Sequence, residues 1–235
     1  MPPNYFAYSR GRPRRKGPYM KDVFEFLVLG GIVMIPIALG SIIALAIFLE
    51  RMWSLQDSKI VPEGLLEKVL DLARKSDTKA AREECLKSNT PLGRLLLVGF
   101  DTVHRKPADI RQALEDAGRR EMSRMERYIE AIGTTASLEP LLGLLGTVVG
   151  MIQVFQKVVV TSREGAVDPG LLANGIWQAL ITTAAGMSVA IPAFVAYRYL
   201  LSRTTRHASE LEDGAVQLME TLAKQPVSAE AEPSK

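Results

Sequence analysis

Three apolar runs, each long enough to cross a bilayer, constrain this chain more than any other feature. From Val23 to Leu49, "VFEFLVLGGIVMIPIALGSIIALAIFL" carries one charge, Glu25, and exceeds the roughly 20 apolar residues that span hydrocarbon as a helix. From Ala131 to Val160 the ionisable or amide side chains are Glu139, Gln153, Gln156 and Lys157, and from Leu171 to Leu201 no charge precedes Arg198. The overall composition, 47% hydrophobic and 23% charged over 235 residues, averages over this segregation. The first run follows a basic "RGRPRRKG", as a signal peptide would. It is, however, too long for the roughly 7–15-residue core of a signal and lacks a small-residue cleavage pattern. No stretch alternates with period two, so the expected fold is an all-α membrane protein with three transmembrane helices and its termini on opposite faces.

Between the runs the chain is water-soluble in character. Residues 1–21 are rich in Pro, Gly, Tyr and Arg without apolar periodicity and read as a disordered basic arm. Residues 22–50 are transmembrane helix 1 and 51–127 a helical loop of mixed charge. In that loop "PEGLLEKVLDLARK" starts with a first-turn proline and sets Leu65, Leu66, Val69, Leu70 and Ala73 on one face. "DTKAAREECLK" and "PLGRLLLVGFDTVH" are two further short helices, the second starting at Pro91. After Pro107, helical composition is expected to run unbroken into transmembrane helix 2, residues 128–160. A short loop, 161–170, precedes transmembrane helix 3, residues 171–201, which continues as a helix over 202–224 before a disordered tail, 225–235. Lys and Arg are nearly balanced on the two sides of the membrane, so charge alone leaves orientation open.

The second run holds the central puzzle: in "ASLEPLLGLLGTVVGM" a glutamate, Glu139, lies within apolar sequence. Gly143, Gly146 and Gly150 follow it at offsets that share one helical face. Such a stripe lets another helix backbone approach closely. The third run offers a matching small-residue face, Ala179, Thr183, Gly186, Ala190 and Ala193, so the two spans are expected to pack together. Polar groups lie along it: Thr147 in the second span, and Gln178, Thr182, Thr183 and Ser188 in the third. Two placements of Glu139 are open. If the helix starts at Pro140, the charge sits at an N-terminal interface, where the helix dipole suits it. If the helix starts earlier, as the apolar Ala131, Ile132, Ala136 and Leu138 suggest, Glu139 is an intramembrane carboxylate. Such a group is costly and by default functional.

Other chemistries find little support. No Ser–His, paired-Asp or zinc-ligand arrangement occurs in the spans, which argues against an intramembrane protease and against an enzyme generally. Cys85 is alone, His104 and His207 lie in unrelated segments, and neither a metal nor a cofactor is expected. The basic cluster from Arg10 to Lys21 abuts a span, so it suits lipid headgroups rather than nucleic acid.

Three segments, "GGIVMIPIALGSIIALAIFLERMW", "ASLEPLLGLLGTVVGMI" and "GIWQALITTAAGMSVAIPAFVAYRYL", resemble the MotA/TolQ/ExbB proton-channel family, and within it the ExbB and TolQ branch. The likeness covers roughly residues 20–56 and 90–205. It implies a subunit of an energy-transducing complex in the bacterial inner membrane. Five copies would form a pore lined by spans two and three around a single-span ExbD- or TolR-like partner, with a TonB- or TolA-like protein energised downstream. The likeness also implies a non-cytoplasmic N-terminus and a cytoplasmic C-terminus. The family's pore threonines fall on Thr147 and Thr183. Its third-span glutamate falls on Gln178, which cannot titrate, while the position before Pro140 is Glu139. The resemblance therefore implies a carboxylate displaced from one pore-lining helix to its neighbour. The alternatives are a MotA-like stator subunit, against which the span count argues, and a non-conducting scaffold in which the glycines only pack helices.

Overall fold

The computed structural model describes residues 30–161 and 169–224. The expected basic arm, the loop around 162–168 and the tail from 225 fall outside these residues. So do Glu25 and the rest of the first run before Gly30. Within the described residues there is no strand, and eight helices follow in order: α1 Met34–Ser54, α2 Asp57–Ile60, α3 Leu65–Arg74, α4 Thr78–Ser88, α5 Pro91–Asp101, α6 Pro107–Glu126, α7 Ile129–Thr161 and α8 Pro169–Ala223. Three of them are long and apolar enough to cross a membrane: α1, α7 over Ile129–Val159, and α8 from Leu172.

The 55 residues of α8 extend about 80 Å at 1.5 Å per residue, far beyond a hydrocarbon core of about 30 Å. Its first half packs against α7 and α1, and its second half is the spine of a bundle formed with α3, α5 and α6. The composition of α8 changes accordingly, from Gly, Ala and Thr to Leu200, Leu211 and Leu218, which are all buried. Leu92, Leu95, Leu96 and Phe100 of α5 and Leu114 of α6 complete that bundle's core.

Local chemistry sets the helix starts. The Asp77 side chain accepts from the Ala80 N–H at 3.0 Å to open α4, and Thr90 caps α5 by accepting from Gly93 N–H at 3.2 Å, with Pro91 in the first turn. Such caps satisfy amides that the helix leaves unpaired. The helix expected from Pro62 instead begins at Leu65, because Gly64 takes a left-handed φ of 76° and turns the chain first.

The continuous helix expected from Pro107 into the second span is not found. It breaks between α6 and α7, where Arg127 is extended (ψ 130°) and Tyr128 is left-handed (φ 68°). A non-glycine residue in that region costs about 1–2 kcal/mol. Here the Tyr128 ring is flanked by two guanidinium groups, Arg127 at 4.6 Å and Arg51 at 5.5 Å, and these cation–π contacts offset the strain. The break turns α6 back against α5 and α8.

Candidate ion pathway

α7 and α8 run antiparallel with their backbones nearly touching. A Cβ added at Gly150 would lie 3.2 Å from the Ala179 Cβ, one at Gly146 would lie 2.5 Å from the Thr182 side chain, and one at Gly143 would lie 3.1 Å from the Thr182 carbonyl oxygen and the Thr183 Cα. On the facing helix, a Cβ at Gly186 would lie 2.5 Å from the Glu139 carbonyl oxygen. The glycine stripe of the second span thus meets the small face of the third along one seam.

Pro140 lies inside α7, which begins at Ile129, so Glu139 does not sit at a helix start. Its side chain is 1% exposed. The carbonyl of Glu139 faces α8, but the carboxyl group reaches the other way, to α1. Gly40 is the residue that makes room for it: a Cβ there would collide with Glu139 Oε1. Oε2 is buried without a hydrogen-bond partner, a costly state for a polar atom. Pro140 adds to the polarity of this level, because it has no N–H to give the Ala136 carbonyl. A single chain therefore encloses the carboxyl group between three helices.

The remaining polar residues follow the seam. Thr183 Oγ1 donates across it to the Gly143 carbonyl at 3.2 Å, a direct tie between the two helices. Thr182, also 1% exposed, donates to the Ala179 carbonyl at 2.7 Å within its own helix, and a Cβ at Gly30 would meet its methyl group at 3.2 Å. Thr147, half-buried, donates to Leu144 at 2.7 Å, so its hydroxyl turns back on its own helix, and so does the exposed Ser188, onto Ala184. Gln178 lies at the far end. Its amide nitrogen packs against Gly31, where the chain turns with φ 72°. It also lines a cavity of about 280 Å³ with Gln153, Lys157 and Asn174.

The structure thus brings Gln178, Thr182 and Thr183 along the seam of α7 and α8, with Gly143, Gly146, Gly150 and Gly186 as the close contacts, and sets Glu139 at its end with Pro140 next in sequence and its carboxyl group turned to α1. Thr147 is not tied to the others. Sequence reasoning missed the part of the first run: Gly30 and Gly31, in the turn before α1, and Gly40, within it, pack on Thr182, Gln178 and Glu139 in turn. The signal was present as glycines in the first run, but nothing local says which partner each one meets.

Three helices long and apolar enough to cross a bilayer, packed along a small-residue seam, define a multi-pass membrane protein. Residues 87–213, more than half of the chain, match the MotA/TolQ/ExbB proton channel family. The chain is 39% identical to an ExbB-like biopolymer transport protein of Synechocystis sp., over 76% of this chain and 70% of that protein. It is 32% identical to the Tol-Pal system protein TolQ of Haemophilus influenzae, over 66% and 64%, and 30% identical to the biopolymer transport protein exbB1 of Vibrio cholerae, over 77% and 80%. The chain belongs to the MotA/TolQ/ExbB proton channel family, in its ExbB and TolQ branch.

Proposed function

We propose that this chain is the ExbB/TolQ-like subunit of an inner-membrane proton-channel complex that couples the proton-motive force to transport at, or upkeep of, the outer envelope. Five copies surround a pore, and an ExbD/TolR-like single-span partner occupies it. The N-terminus is non-cytoplasmic, and the loop 51–127 and the helix over 202–224 are cytoplasmic. Residues 22–50, 128–160 and 171–201 cross the membrane, and 161–170 joins the last two spans outside. The chain itself carries no catalytic chemistry.

In this reading Gln178, Thr182, Thr183 and Glu139 line the ion pathway, with Thr147 beside them, and Glu139 supplies the carboxyl group that a third-span glutamine cannot. One observation carries it: a fully buried glutamate, unpaired at Oε2, lies one turn from the seam residue Gly143, whose carbonyl accepts from Thr183. A scaffold needs the glycines but gains nothing from a buried carboxyl group, which lipid makes expensive.

The test is acid-driven proton flux into liposomes holding the chain with its co-purifying single-span partner. Glu139→Gln and Thr183→Ala should each abolish most of the flux while the complex stays assembled. If Glu139→Gln conducts like the parent while Thr183→Ala does not, Glu139 is a structural charge and the displaced-carboxylate reading fails.

A further inference from the structure

His207 of α8 is fully buried, at 0% exposure, some turns beyond the spanning part of the helix. Its Nδ1 lies 3.0 Å from Glu210 Oε2. Its Nε2 lies 3.2 Å from the carbonyl oxygen of Leu55, the residue that ends α1, and 3.5 Å from Asp57 Oδ1 at the start of α2. All three partners are acceptors. A carbonyl oxygen can only accept. Glu210 receives Arg206 Nε on its other oxygen at 3.0 Å, and Asp57 receives Arg203 at 3.2 Å and Arg206 at 3.1 Å. Burial alone would raise the Asp57 carboxyl group. The hydrogen bond from Arg203 and the charges of Arg206, Arg203 and His207 prevail and hold it below the usual carboxylate range.

A neutral imidazole has one N–H and one acceptor nitrogen, so in this pocket it would set a lone pair against an acceptor on one side. Only the doubly protonated ring donates in both directions. The charged and titratable groups around it are Asp57 from α2, Arg203, Arg206 and Glu210 from α8, and, one turn before Leu55 on α1, Glu50 and Arg51, which pair with each other at 3.1 Å. The position also suits a cation. The last carbonyls of α1 have no partner within their own helix, and its C-terminal dipole favours positive charge. Lys59 fills the matching role at the Trp53 carbonyl, 3.0 Å away.

We propose that His207 is a proton-dependent clamp: as an imidazolium it fastens the end of α1 and the start of α2 to α8, and on losing its proton it loosens that junction, leaving it to the Arg203 and Arg206 pairs with Asp57. The clamp is present at low pH and lost as pH rises, because deprotonation removes one of the two donors and leaves a lone pair facing an acceptor. α1 is also the helix whose Gly40 covers Glu139, so the clamp holds one wall of the buried carboxyl site. The inference concerns α1's attachment and does not depend on where the ion passes.

The chain has two histidines, and His104 is exposed. A ¹⁵N-histidine-labelled full chain carrying His104→Gln, assembled with its partner in lipid, therefore reports on His207 alone. The expected result, as pH is lowered, is the spectrum of a ring protonated at both nitrogens. That spectrum should give way to a neutral tautomer at higher pH, together with faster amide exchange across residues 55–60. In a second sample, His207→Gln should show fast exchange over 55–60 at every pH. A ring that stays neutral at the lowest pH at which the complex remains assembled, or exchange over 55–60 that ignores pH in the parent, would overturn the proposal.

Discussion

The two halves of α8 hold their neighbours by different physics. Beyond the membrane, Leu211 and Leu218 are buried in one core with Leu92, Leu95, Leu96 and Phe100, and ion pairs rim the bundle, such as Arg94 to Glu121 at 2.6 Å. There, water drives large apolar side chains together. Within the membrane the contacts are Gly143, Gly146, Gly150 and Gly186 against backbone and small side chains. Lipid tails are as apolar as leucine, so burying a leucine gains little, and close backbone packing with an occasional hydrogen bond does the holding. One helix thus changes its sequence grammar where its solvent changes, and large residues left on its membrane half, Trp177, Ile191 and Phe194 among them, are exposed.

The difference predicts opposite sensitivities. The largest effect is expected in the bundle: Leu96, 0% exposed, should cost about 2–5 kcal/mol as Leu96→Ala, from lost transfer energy and an unfilled cavity. Cys85 reports on it. That thiol is buried, and burial, aided by the Glu84 charge, pushes it up to about 11. At neutral pH it should react slowly with maleimide in the native chain. In Leu96→Ala, labelling of Cys85 should accelerate at a temperature where the parent is still protected. Unchanged labelling would mean that the bundle core is less cooperative than its packing implies.

The seam should fail in the reverse way. Gly186→Val places a side chain 2.5 Å from the Glu139 carbonyl oxygen, and backbone cannot give way as a flexible side chain can. Overpacking of this kind costs about 1–3 kcal/mol, and it should separate α7 from α8, abolish flux and leave Cys85 protected. Cys85 exposure in this variant would join the two regions into one folding unit and remove the contrast.

How much of this was legible in the sequence follows the same division. The three spans, the glycine stripe and the small face of α8 could be read, because hydropathy and helical periodicity are local properties. The break at Tyr128 was not, since it depends on Arg51, far back in the chain, reaching the same ring as Arg127. Glu139 could be singled out as anomalous, but the direction of its carboxyl group could not, because Gly40 is a partner from another helix. The His207 cluster was missed for the same reason. Glu210 lies one turn on and was visible, whereas Leu55 and Asp57 come from about 150 positions away.

The smallest effect separates the two uses of glycine most cleanly. Gly118 lies inside α6, and a Cβ added there meets nothing within 4 Å. No packing requires it, and as a helix-interior glycine it costs about 0.5–1 kcal/mol relative to alanine. Gly118→Ala should therefore stabilise the bundle by about that amount and delay Cys85 labelling on heating, with flux unchanged. If this substitution destabilises the assembled complex, the open face of α6 is occupied by another subunit, and the glycine on it serves close approach as those of the seam do.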